Sequence, residues 1–311
     1  MKRKLFCVVV GVLVAVAAVW GSGQRQSAQS AVKTYKIGFS PYGLDQEFHR
    51  VIHDTIKAAV EAKGDVFVSA DPVGDSGLQI NQIEDMVAQQ IDLLILGPIS
   101  GDGILPALMA CKDAGIPVLN YDAAVKDQDL VVSFVTSDNY LAGQLAGEYF
   151  VKNIAQSGKV IMFNNPDAES VNLRQRGFED AVKGTGISIV YGVYNGDLIG
   201  KSEDMITGNP DAIGIFGTVS ILSTVAYASL DARGLVGKMP IISVDGAPDE
   251  KAYIKSGGIV ATAAQSPLGI ANKAVEFAYK VLANESVPKT EQIKPFIIDK
   301  TNIDQYLNGW Q

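Results

Sequence analysis

The feature that most constrains this chain is a repeat. Gly115-Ile116-Pro117-Val118-Leu119-Asn120-Tyr121-Asp122 resembles Lys238-Met239-Pro240-Ile241-Ile242-Ser243-Val244-Asp245, an offset of 123 residues. Lys36-Ile37 meets Lys159-Val160 at the same offset, and Gly64 meets Gly186 and Leu94-Ile95-Leu96-Gly97 meets Gly214-Ile215-Phe216-Gly217 at nearly the same one. Ordered matches at one spacing mean two copies of one structural unit. At 311 residues, 47% of them hydrophobic, the chain has the length and the apolar content for two lobes with real cores.

Each copy alternates short β-rich runs with helical patterns. Strands are expected at Tyr35–Ser40, Asp65–Ala70, Leu93–Gly97, Pro117–Asp122, Val131–Thr136, Lys159–Asn164, Ile187–Tyr194, Ala212–Gly217, Pro240–Asp245, Ile259–Ala264 and Lys294–Ile298. Gln46–Lys63 carries Phe48, Val51, Ile52, Ile56, Ala59 and Val60 at helical spacing, and Asn139–Ile154, Ser170–Lys183, Ile221–Arg233 and Leu268–Leu282 do the same. Apolar strands alternating with helices predict an α/β fold with parallel sheets covered on both faces.

Ligands of open parallel sheets bind beyond the carboxyl ends of the strands. That rule selects Ser40-Pro41-Tyr42, Asp71, Pro98, Asp122, Asn164-Asn165, Thr218 and Asp245. Two aspartates, Asp122 and Asp245, end equivalent strands. A carboxylate can accept from two adjacent hydroxyls at once, which suits a sugar or polyol. The same aspartates could instead cap the helices that follow them.

Other chemistries are poorly supported. A formal charge of −8 argues against a nucleic-acid partner. Two cysteines rule out a disulfide scaffold or a Cys-rich metal module. Cys111 lies in an apolar helical pattern and reads as core. His49 and His53 have the i, i+4 spacing of metal ligands, but Arg50-Val51-Ile52 lies between them, with no glutamate in the metalloprotease position. They read as a solvated helix face, with His49 near a cleft rim. No Gly-x4-Gly-Lys-Ser/Thr loop and no Gly-x-Ser-x-Gly elbow occurs. The strand-end acids alternate with an arginine and an amide, a pattern for holding hydroxyls rather than for hydrolysis. No catalytic residue, metal or cofactor is expected.

The N-terminus has the form of a secretory signal peptide: basic Lys2-Arg3-Lys4, an apolar run from Leu5 to Val19, and small residues around Gly21. The run is short for a membrane span of about 20 residues. No cysteine follows it in the position of a lipid anchor. Residues 22–33 read as a polar tether. Cleavage near Gly21 leaves 23 basic against 34 acidic residues, a net charge of −11.

From about Lys36 to Asn302 the chain resembles the periplasmic sugar-binding proteins of ABC transporters, the ribose- and galactose-binding type. The resemblance is carried by Ser137-Asp138-Asn139-Tyr140-Leu141-Ala142-Gly143, Arg174-Gln175-Arg176-Gly177-Phe178, Val244-Asp245-Gly246-Ala247-Pro248-Asp249 and Thr262-Ala263-Ala264-Gln265-Ser266-Pro267. It implies two Rossmann-like lobes joined by a three-crossing hinge (the type I periplasmic binding fold), with residues 34–136 and 267–294 in the first and 137–266 and 295–311 in the second. It further implies a periplasmic protein that closes on its ligand and hands it to a membrane permease. A sensory role, presenting the ligand to a chemoreceptor or histidine kinase, is the alternative, as is a non-sugar ligand. A related repressor would need a DNA-binding segment where the signal peptide stands.

Carried over by position, the resemblance implies a ligand set of Asp45, Phe48, Asp122, Arg174, Asp245 and Gln265. Tyr42, Glu47, His49 and Thr218 are candidates for its margin. Phe48 would stack on a sugar's C–H face, and Arg174 offers a rigid five-donor fork. Ala123 replaces the family's arginine, Val219-Ser220 its Asn-Asp, and Glu47 and Leu198 two of its aromatics, so the particular sugar does not follow from the family.

Overall fold

Leu93–Leu96 is apolar at all four positions and buried at all four, which only a strand covered on both faces permits. It is one of six strands in the first of two sheets. The computed structural model describes residues 33–166, 168–193 and 196–311. The signal peptide and the tether up to residue 32 lie outside the described residues, as does Tyr194 of an expected strand.

In chain order the first half runs β1 (Lys36–Ser40), α1 (Glu47–Glu61), β2 (Val66–Ser69), α2 (Ser76–Ala88), β3 (Leu93–Leu96), α3 (Leu105–Asp113), β4 (Val118–Tyr121) and β5 (Ser133–Ser137). The second half repeats it with α4 (Asn139–Asn153), β6 (Ser157–Asn164), α5 (Glu169–Val182), β7 (Gly186–Val193), α6 (Leu198–Gly208), β8 (Ala212–Gly217), α7 (Ser220–Asp231), β9 (Ile241–Asp245), α8 (Pro248–Ser256) and β10 (Ala261–Ala264). It closes with α9 (Pro267–Leu282), β11 (Thr290–Ile293) and β12 (Phe296–Asp299).

The sheet orders are β11-β5-β4-β3-β1-β2 and β12-β10-β9-β8-β6-β7. Each strand of the first sheet has a counterpart in the second at the same place, as the repeat requires. The last strands break the symmetry: β11 runs parallel to β5, whereas β12 runs antiparallel to β10. The chain changes sheet after β5, after β10, and between β11 and β12.

The strand expected at Lys294–Ile298 is β12, shifted to Phe296–Asp299, and the sequence reading missed β11 just before it; Lys294-Pro295 separates the two. Pro295 has no N–H to give a ladder, so pairing stops there and the chain switches sheets.

Among the described residues, four apolar clusters make up the core. Two belong to the first sheet and the helices on it, and one of these joins Phe39, Ile56, Leu93 and Ile95 to Phe277 of α9. The other two belong to the second sheet, its helices and the segment after β12. One centres on Phe163, Ile215 and Ile241, the other on Phe150, Phe178 and Phe216. None of the four spans the two sheets. Cys111 is buried in the first half, as its pattern predicts, and burial pushes its thiol up to about 11.

Helices α4 and α5 touch backbone to backbone because glycines line the contact. A Cβ on Gly143 would lie 1.8 Å from the carbonyl oxygen of Arg174, and one on Gly177 would lie 2.0 Å from that of Tyr140. Two of the sequence segments that carry the resemblance are thus the two faces of one helix contact. No helix of the described residues is long and apolar enough to cross a membrane.

Candidate functional site

The two equivalent aspartates end their strands with the same unusual backbone. Asp122 has φ +62° and Asp245 has φ +101°, the left-handed region that aspartate enters more readily than most residues. Buried Asn120 holds the first of these turns, donating to the carbonyl of Ala123 (2.8 Å) and accepting from the N–H of Val125 (3.0 Å).

Around Asp245 the second lobe builds a buried polar cluster. Arg174, on α5 and 4% exposed, donates Nη1–H to Asp245 Oδ1 (3.1 Å) and to the carbonyl of Thr218 (2.9 Å). Its Nε–H goes to Asn139 Oδ1 (2.9 Å), at the start of α4. The glycine contact between α4 and α5 is what brings those residues together. Gln265, just past β10, donates its amide to Asp245 Oδ1 (2.6 Å). Asp245 Oδ2 accepts from the N–H of Ser220, the first residue of α7 (2.9 Å). Asp245 therefore does cap a helix, but a neighbouring one rather than the one that follows it.

The first lobe presents a more open group. Asp122 Oδ2 lies 3.9 Å from His49 Nε2, and its side chain is about a quarter exposed (27%). Desolvation raises the Asp122 carboxyl above its ordinary range, opposed by His49 and by Arg174 and assisted by Asp245. Arg174 and Asp245 belong to the other lobe, so the two strand-end aspartates and the arginine share one electrostatic environment. No helix follows Asp122 directly, which removes the capping role for it.

His49 differs from its expected place on a solvated face. It is buried, stacked on Tyr42 (centroids 5.5 Å, 13°) and edge-on to Phe48 (5.4 Å) and Tyr121 (6.0 Å). Burial lowers its pKa despite Asp122 and Asp45 nearby. His53 likewise packs edge-on against Phe39 and Phe67. Both rings are committed to α1 packing, and among the described residues no group of three His, Cys, Asp or Glu is placed to hold a metal ion.

Asp45 and Glu47 are exposed, before and at the start of α1. Asp71 holds that loop by accepting from the N–H of Leu44 (3.2 Å). Thr218 is buried and donates its hydroxyl to the carbonyl of Phe163 (2.8 Å), so its part is to position Arg174 through its own carbonyl.

Several residues escaped the sequence reading. Asn139 orients Arg174. Gln79, wholly buried, ties Pro41 (2.9 Å) and Gly97 (3.0 Å) together at two strand ends. Glu250 and Lys251 lie under the Asp245 turn, both fully buried. Trp310 packs edge-on against Phe48 (5.6 Å, 78°). For Asn139 the signal was its place in the segment preceding Gly143. For the others a polar residue in a helical pattern or beyond the last strand gave none.

Residues 37–286 match a family model described as "Periplasmic binding protein domain". The chain is 27% identical over 250 residues to the ribose import binding protein of Salmonella typhimurium, covering 78% of this chain and 83% of that protein. A solved ABC transporter solute-binding protein from Mycobacterium smegmatis with bound glycerol superposes with a TM-score of 0.81 at 29% identity, covering 89% of this chain and 98% of that one. One from Actinobacillus succinogenes with bound D-allose also gives 0.81, at 22% identity over 88% of this chain and all (100%) of that one, and speaks for the fold alone.

Proposed function

From the premise that the chain belongs to the periplasmic binding protein domain family, and is a binding protein rather than an enzyme, we propose that it holds a small neutral sugar or polyol between its two lobes. It delivers that ligand, in the periplasm, to the permease of an ABC transporter. The observation that carries the reading is the buried Arg174–Asp245–Gln265 cluster of one lobe sharing its field with Asp122 of the other.

Arg174 is mostly engaged by Asp245, Thr218 and Asn139, so its charge is already balanced. A site with two aspartates and one compensated arginine favours uncharged hydroxyl groups over a phosphate or carboxylate. Phe48 adds an apolar face for C–H groups. The relatives' ribose and glycerol agree with that chemistry.

Calorimetric titration tests it. A neutral monosaccharide or polyol is expected to bind, and the corresponding sugar phosphate to bind far more weakly. A phosphorylated sugar that bound more tightly than every neutral one would overturn the reading.

A further inference from the structure

Gly309–Gln311 lies against the strand ends of the candidate site. The Gln311 amide donates to the main-chain carbonyls of Asp245 (3.2 Å) and Gln265, and the Gln311 carbonyl accepts from Ser266 Oγ (2.8 Å). Lys251 donates Nζ–H to the carbonyl of Gly309 (2.7 Å). The segment is thereby tied to the second lobe on both sides of Trp310. The Trp310 ring reaches the first lobe, meeting Phe48. Contacts therefore run from Asp122 through His49 and Phe48 to Trp310, and back through Gln311 to Asp245.

Three polar atoms in this stretch are buried without a hydrogen-bond partner among the described residues: Trp310 Nε1, Gln311 Oε1 and Gln265 Oε1. A buried indole N–H ordinarily finds an acceptor. Resting on the sugar-binding reading above, we propose that Trp310 is a ligand-contacting residue that sets specificity. Its N–H donates to one sugar oxygen, and its ring makes a corner with Phe48 against the sugar's C–H surface. An indole can only donate, so it selects a ligand with an oxygen at that position. The corner supplies an aromatic surface that Glu47 and Leu198 do not.

The test uses the full chain carrying Trp20→Phe, which leaves Trp310 as the only tryptophan. D-ribose, D-allose, D-fucose and myo-inositol are titrated by calorimetry and by tryptophan emission. The sugar that binds is expected to shift the emission. Trp310→Phe, which keeps a ring and loses the donor, is expected to weaken binding by roughly ten-fold, the upper end for one hydrogen bond. Of the monodeoxy forms of that sugar, one should lose affinity for the parent chain and not for Trp310→Phe, which a merely structural role would not produce. Binding with unmoved emission and equal affinity in Trp310→Phe would overturn the role of Trp310 and leave the sugar reading standing. Failure of all four sugars to bind the parent chain would overturn both.

Discussion

Asp245 shows how much one strand-end residue can carry. From sequence, replacing it should cost ligand binding and spare the fold. Its bonds to Arg174, Gln265 and Ser220 change that expectation. Asp245→Ala leaves a buried arginine without its counter-charge, for which a loss of about 3–5 kcal/mol of stability is typical. Chemical denaturation should show that loss, and calorimetry a loss of ligand affinity with it. Glu250 gives a second prediction. Desolvation raises its carboxyl from 4.5 to about 8, so the folded chain keeps a proton that the unfolded chain releases. Stability should therefore fall as pH rises between those values. Lys251, lowered by burial from 10.5 to about 8, works in the opposite sense, and stability should recover above about 8. A urea midpoint measured against pH should pass through a minimum near there, and Glu250→Gln should flatten its acid side. The paired aspartates were legible in the sequence because the repeat marks them. Glu250 was not, because nothing in the pattern of α8 says that its polar residues face inward.

At the scale of elements, the α4–α5 contact joins stability to the site. Gly177→Ala puts a methyl group into the Tyr140 carbonyl and must push the helices apart. Overpacking of this kind costs about 1–3 kcal/mol. It should also weaken ligand binding, since Arg174 and Asn139 sit on the two helices. Gly208→Ala meets nothing within 4 Å and should leave both melting temperature and affinity nearly unchanged. The order of strands and helices was readable because buried parallel strands leave unbroken apolar runs. Two features were not. β11, Thr290-Glu291-Gln292-Ile293, is a half-exposed edge strand with no apolar run to mark it, and His49 is buried because Tyr42, Phe48 and Tyr121 converge on it from separate elements.

At the scale of the molecule, each of the four apolar clusters stays with one sheet, and besides the edge contact of Trp310 with Phe48 it is three chain crossings that join the two. Packed lobes resist deformation and short crossings absorb backbone rotation, so ligand binding should act as a hinge closure. Small-angle scattering with and without a bound sugar should show a smaller radius of gyration in its presence. An unchanged curve at saturating ligand would argue against closure.

The position of α9 in the chain has a consequence for synthesis. Its residues Ile270, Ala271, Ala274 and Phe277 complete the apolar cluster of the first sheet, yet residues 138–266 come before them. A chain that emerges amino end first exposes the face that α9 will cover until the whole second repeat has been made. The first lobe therefore cannot be closed until the second repeat has been made, and the interval before α9 arrives leaves the nascent protein open to aggregation.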